Sequence, residues 1–309
     1  MSLRSLLDVP APAKLNLFLH VVGRRSDGYH LLESVFVLID WADTLHFERR
    51  EDGVLQRHDL GEPLPPDDLC LRAARALQAA SGTTAGADIS VLKQVPSGAG
   101  MGGGSSDAAT VLLALNRLWD LHWPRHRLLQ LAATLGADVP FFVFGRNALV
   151  QGIGEQLSAV DVPPHLYAVV KPGASLPTAD IFSSPLLKRD SASAIVEGSL
   201  VSEALAWLAG PAKVAVSGRV AAPPAFGRND LQPPAQARCD EVVQAARLLE
   251  SAFGNSRMTG SGSAVFARVD TGVPPEATWL EALPSGWVGR LCRGLPQHPL
   301  WGWVDREDG

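Results

Sequence analysis

Gly98-Ala99-Gly100-Met101-Gly102-Gly103-Gly104 is the stretch that most limits how this chain can fold, because five of its seven residues are glycine. Glycine costs conformational entropy, so a folded chain keeps this density where backbone takes positive φ or something approaches closely. A strand pattern comes first: Ala87, Ile89, Val91 and Val95 share one parity, Lys93 breaks it, and Pro96 ends it. Residues 108–119 follow as an apolar, buried helix, with Ser105 or Ser106 placed to cap it. Strand, glycine loop and helix N-terminus gather free N–H groups and the positive end of a helix dipole at one point, which suits a phosphate. One or two glycines would serve close strand–helix packing; five with paired serines behind them exceed that need.

The loop lacks the lysine after its last glycine that a G-x-x-x-x-G-K-[ST] loop requires. It also sits deep in the chain, with no acidic residue ending a strand about 20 residues later, so a dinucleotide fingerprint fits poorly.

Before the loop, residues 13–21 alternate. Ala13, Leu15, Leu17, Leu19 and Val21 form one face; Lys14, Asn16, Phe18 and His20 form the other. Lys14 and Asn16 therefore share a face, about 7 Å apart at strand rise. A turn at Ser26-Asp27-Gly28 leads into Tyr29-His30, and residues 35–47 read as a more buried strand interrupted by Asp40 and Asp43. A helix over 67–80 is capped by Asp67 or Asp68 and stopped by Gly82. Pro124 starts another that stops near Gly136 as its C′ glycine, and Asp138-Val139-Pro140 follows at once. Strands are expected at 148–151, 167–170 and 264–269, a helix at 240–253, and a second small-residue loop at Gly260-Ser261-Gly262. The stretch 180–234 has no clear period. A linker at 161–164 suggests two domains, 1–160 and 161–309.

At 309 residues the chain can bury a core in each. Its 46% hydrophobic and 19% charged content is that of an ordinary globular protein, and a net charge of −5 argues against nucleic-acid partners. No apolar run approaches the ~20 residues of a membrane span. Three widely spaced cysteines fit reduced thiols, so a cytoplasmic location is expected.

Residues 96–106 resemble the phosphate loop of the galactokinase, homoserine kinase, mevalonate kinase and phosphomevalonate kinase superfamily. The resemblance runs through most of the chain in order: residues 11–17, Asp27-Gly28-Tyr29-His30, residues 136–142, residues 177–182, Asn229-Asp230-Leu231 and residues 258–262. Triple glycine with paired serines is most similar to members whose acceptor is a cytidyl diphosphate alcohol of isoprenoid synthesis. The resemblance implies an α+β, two-domain small-molecule kinase fold. An N-terminal domain like domain 2 of ribosomal protein S5 would bind nucleotide, a ferredoxin-like α/β sandwich would follow, and the site would lie between them.

It implies ATP as co-substrate, accompanied by Mg2+, held by Lys93, Pro96, Ser97, Gly98, Ala99, Gly100, Met101, Gly102, Gly103, Gly104, Ser105 and Ser106. No metal-ligand set is readable. Asp138 would be the base, although its local sequence alone favours an N-cap; Lys14 would keep its carboxylate ionised. Asn16, Tyr29, His30, Thr178, Phe182, Gly260, Ser261 and Gly262 would meet the acceptor, with Tyr29 and Phe182 sandwiching its cytosine ring. Asp68 and Asp107 stand where asparagine is common in relatives. A homoserine- or mevalonate-type kinase and a non-catalytic nucleotide-binding member remain the alternatives. The molecule is expected as a monomer or weak homodimer, with Trp301 and Trp303 packed on the core or in a dimer contact.

Overall fold

The alternating run around Lys14 belongs to a 20-residue strand, β1 (Ser5–Arg24), which pairs antiparallel with β2 (His30–Arg50). The computed structural model describes residues 3–191, 228–269 and 278–304. At the hairpin turn Tyr29 N donates to Asp27 Oδ1 (3.2 Å) and Gly28 takes φ 94°. The register shifts between Leu6 and Val9, Pro12 and Lys14, Asn16 and Phe18, and Val21 and Gly23. A bulge re-aims the side chains beyond it. This corrects the single apolar face read for 13–21: Ala13, Leu15, Leu17 and Phe18 pack in one core, while Leu19 and Val21 join another.

β2 is not broken by its aspartates. Asp40 is exposed and accepts from Arg293 N, whereas Asp43 is fully buried and is bonded by Lys93 and the backbone N–H of Gln94 and Val95. Around β2 lie β4 (Gly86–Leu92), parallel β3 (Leu55–Asp59) beyond it, and β5 (Ala148–Gln151) with β6 (Gln156–Ala159). A second group joins β7 (Leu166–Lys171), β8 (Arg257–Met258), β9 (Val265–Val269) and β10 (Val288–Leu295). Val288–Arg293 of β10 pair with β7, and Gly294 and Leu295 pair with Ile39 and Leu38 of β2, so one strand ties the two groups.

Helix α1 (Leu69–Ser81) is capped by Asp68, which accepts from Leu71 N, and ends at left-handed Gly82. Helix α2 (Gly103–Leu118) starts five residues earlier than expected, inside the glycine run. Helix α3 (Arg125–Ala133) ends on Thr134, so Gly136 is not its C′ glycine. Then come α4 (Val139–Phe144), α5 (Thr178–Ser183), α6 (Gln232–Arg238) and α7 (Asp240–Phe253), the last over the residues its periodicity predicts. Of the aperiodic stretch 180–234, residues 192–227 lie outside the described residues. One core fills the space between α1–α4 and the β2 sheet, and another lies between α6, α7 and the β7 strands. Trp303 packs on the first core, and the guanidinium of Arg125 lies 4.0 Å over the Trp301 ring. Among the described residues no helix is long and apolar enough to cross a membrane.

Candidate active site

The glycine loop alternates between residues that anchor it and residues that must be small. Ala99 and Met101 are buried, while Gly98, Gly100 and Gly102 take φ of 62°, 71° and 72°. A Cβ on Gly100 would stand 2.3 Å from Thr259 O, and one on Gly260 would stand 2.7 Å from Gly100 O. The two small-residue loops thus meet backbone to backbone, joined by Ser263 N to Gly98 O (3.2 Å) and Ala264 N to Ala99 O (3.2 Å). Asn229 fixes the second loop by donating to Met258 O and Gly260 O.

The expected serine cap is absent. Left-handed Gly102 occupies the N-cap of α2 without a side-chain bond, and Ser106 Oγ instead donates to Pro12 O (2.6 Å), tying the helix to β1. The first-turn N–H groups are consequently left for another acceptor. Gly98, Gly100, Gly102 and Ser105 line a cleft of about 830 Å³, which Lys14, Asn16, Tyr29, His30, Asp138, Thr178, Phe182 and the Gly260–Gly262 loop also line.

Lys93 lies elsewhere. It breaks the parity of its segment to reach Asp43 and Asp107 behind the loop, and it does not line the cleft. Burial pulls its pKa down, but the two carboxylates outweigh that and leave it raised. Pro96 and Ser97 form the approach to the loop, Gly103 and Gly104 the first turn of α2.

Lys14 enters the cleft from β1. Its backbone N donates to Met101 O (3.0 Å), its Nζ donates to Asn16 Oδ1 (2.6 Å), and the same ammonium stands 4.6 Å over the Phe36 ring. Its remaining partner is Asp138 Oδ2 at 3.7 Å; the lysine side chain is 3% exposed, the aspartate 33%. Burial lowers the pKa of Lys14 and the Asp138 charge partly restores it. Asp138 stands at the N-cap of α4 but makes no capping bond.

Asn16, expected against the acceptor, spends its amide within the protein. Its Oδ1 also accepts from Thr259 Oγ1 (3.2 Å) and its Nδ2 donates to Ser34 Oγ (3.1 Å), so it braces Lys14. Thr178 Oγ1 bonds Ser261 Oγ (2.8 Å) across the cleft wall. The ring stacked on Phe182 is His30, at 5.1 Å between centroids and 29° between planes, while Tyr29 is 61% exposed. Sequence reasoning gave no role to Thr259, Phe36 or Asp43. Asp43 left a signal, a charge inside an apolar run, and Thr259 stood in the 258–262 motif, whereas Phe36 acts through a contact to a residue 22 positions away.

Residues 68–146 match the GHMP kinases N terminal domain family. A 4-diphosphocytidyl-2-C-methyl-D-erythritol kinase of Methylibium petroleiphilum is 60% identical over 306 residues, covering 98% of this chain and all of the relative. One of Verminephrobacter eiseniae is 54% identical, covering 99% of this chain and all of the relative. A crystal structure of a 4-(cytidine 5'-diphospho)-2C-methyl-D-erythritol kinase superposes with TM-score 0.75 at 34% identity, covering 92% of this chain and 98% of the other. A homoserine kinase of Cytophaga hutchinsonii shares the fold, with TM-score 0.64, 16% identity, and 96% of each chain covered. Identity at this level over nearly the whole length, on a two-domain α+β small-molecule kinase fold, places the chain among ATP-dependent kinases: it belongs to the 4-diphosphocytidyl-2-C-methyl-D-erythritol kinase family.

Proposed function

We propose that this chain transfers the γ-phosphoryl group of ATP to the 2-hydroxyl of 4-diphosphocytidyl-2-C-methyl-D-erythritol, a step of non-mevalonate isoprenoid synthesis. The observation that carries the reading is the buried Lys14 ammonium facing the Asp138 carboxylate at 3.7 Å, in a cleft shared by the glycine loop and the Tyr29, His30 and Phe182 rings. The full-length relatives support the acceptor.

Phosphoryl transfer needs a cradle, positive charge near the moving group, and an acceptor for the hydroxyl proton. In this reading the uncapped first turn of α2 and the left-handed glycines turn N–H groups to the β- and γ-phosphates. Mg2+ belongs to the substrate as MgATP. The acceptor oxygen attacks γ-phosphorus, the bond from that phosphorus to the ADP oxygen breaks, and Asp138 takes the hydroxyl proton as charge leaves the oxygen. Lys14 holds the carboxylate aimed, with Asn16 and Phe36 restricting the ammonium to that direction.

ADP release measured with the cytidyl compound, homoserine, mevalonate and galactose tests the assignment. Release with the first alone is expected; release with another alcohol and none with the first would overturn it.

A further inference from the structure

The stacked pair His30 and Phe182 is held from behind by one side chain. Arg189 Nη2 donates to Phe182 O (3.0 Å) and Ser184 O (3.0 Å), and its Nη1 donates to Leu187 O (3.2 Å). These bonds close the turn that follows α5 and fix where the Phe182 ring stands. The third nitrogen, Nε, donates to His30 Nε2 at 3.2 Å.

That contact fixes the state of the imidazole. A guanidinium stays charged and has no acceptor, so the bond exists only when His30 Nε2 carries no proton. A neutral imidazole with a bare Nε2 carries its proton on Nδ1. The two nitrogens diverge around the ring, so with Nε2 turned to Arg189 the Nδ1–H faces away from it. Burial, then the charges of Arg189 and Arg24, lower the pKa of His30 and keep the ring neutral. In water the opposite, Nε2–H, tautomer of neutral histidine predominates. The arrangement therefore selects the less common form.

We infer that Arg189 is a positioning residue for the acceptor: it locks His30 as the Nδ1–H tautomer, a hydrogen-bond donor toward the acceptor edge of a pyrimidine base beside Phe182. This rests on the cytidyl reading above. Pyrimidine O2, and N3 of cytosine, are acceptors, and the other tautomer would set a bare nitrogen against their lone pairs. The imidazole alone favours the other form; the bond from Arg189 reverses that preference.

The test has a readout that needs no substrate. Nitrogen-15 NMR of the full chain, with His30 assigned by comparison with His30→Gln, is expected to show Nδ1 protonated and Nε2 bare. In Arg189→Met the signal should move toward the Nε2–H form. Kinetically, Arg189→Met should raise the acceptor KM about tenfold, more than it changes kcat or the ATP KM, and Arg189→Lys, which keeps a charged donor, should recover part of the loss. A wild-type His30 protonated on Nε2 would overturn the assignment, as would equal effects of Arg189→Met on both KM values. Should the wild type fail to phosphorylate the cytidyl compound, the substrate reading falls. The tautomer, measured without substrate, then decides the Arg189 assignment by itself.

Discussion

Asp138 stands at the N-cap of α4 without making a capping bond, and its carboxylate faces the ammonium of Lys14, 3.7 Å away. A side chain that gives up a capping bond typically worth about 1 kcal/mol is held by something else in its place. Here that is a lysine buried to 3% exposure, braced by Asn16 and the face of Phe36. In Asp138→Asn and in Lys14→Ala, kcat should fall by about 10²–10⁴, the range of a lost proton acceptor. The ATP KM should stay near wild type, because in the proposed reading the triphosphate is cradled by backbone N–H groups. Steady-state kinetics decide it; near-normal turnover in either variant removes the pair from the chemistry.

Two glycines of the loop have different reasons to be glycine. Gly100 has φ 71°, and a Cβ there would stand 2.3 Å from Thr259 O, so Gly100→Ala should push the two loops apart. Strain of this kind costs about 1–3 kcal/mol and should appear both as a lower melting temperature and as a higher ATP KM. Gly104 lies in the first turn of α2, where the nearest atom to an added Cβ is Leu69 Cδ1 at 3.8 Å. The fold has no need of a glycine there. Gly104→Ala should leave the melting temperature equal or raise it, by up to ~1 kcal/mol of helix propensity, yet raise the ATP KM if phosphate oxygens press on that face. Unchanged ATP binding in Gly104→Ala would mean that the triphosphate passes elsewhere.

Asp43, Lys93 and Asp107 form a buried group with two carboxylates and one ammonium. Burial, and then repulsion from Asp43 set against attraction to Lys93, push the Asp107 carboxyl up to about 8. An acid with a raised folded pKa binds protons more readily folded than unfolded. Its contribution to stability is present below the unfolded value of about 3.9 and is lost as pH rises toward 8. Asp107→Asn removes that loss while keeping the size of the side chain. Its melting temperature should exceed that of wild type by about 2 °C or more at pH 8, a shift worth ~1 kcal/mol in a chain of this size, with the gap closing toward pH 5. A gap independent of pH would show that Asp107 does not titrate in this range.

What could be read in the sequence was what local chemistry dictates. Alternation around Lys14 put its side chain with Asn16, and the two do bond; the 3.6-residue period over Asp240–Phe253 gave that helix to the residue. What escaped was non-local. The bulge between Asn16 and Phe18 has no residue signature, yet it splits one strand between two cores. The first turn of α2 was hidden because glycine propensity argues against helix, and tertiary bonds such as Ser106 to Pro12 override it. Strand β10 joins two strand groups through partners more than a hundred residues away, and Arg189 reaches His30 across 159 positions. Charge and period cannot report such distances.

The aromatic residues divide the end of the cleft proposed for the acceptor in a way that two substitutions can separate. Phe182 already has a ring partner in His30 and a backbone fixed by Arg189, whereas Tyr29 is 61% exposed. A base entering between Tyr29 and Phe182 would gain a preformed wall on one side and would have to order an exposed ring on the other. Stacking on an aromatic ring is worth about 0.5–1.5 kcal/mol beyond the area it buries. Ordering an exposed side chain costs back a similar amount. Phe182→Ala should therefore raise the acceptor KM at least tenfold, and Tyr29→Ala by a smaller factor, with the ATP KM unmoved in both. Competitive inhibition by a cytidine nucleotide, measured against the acceptor, should weaken in the same order. Equal losses in the two variants would mean that Tyr29 is as well placed as Phe182 once the base is bound, and a loss in the ATP KM would take both rings out of the acceptor site.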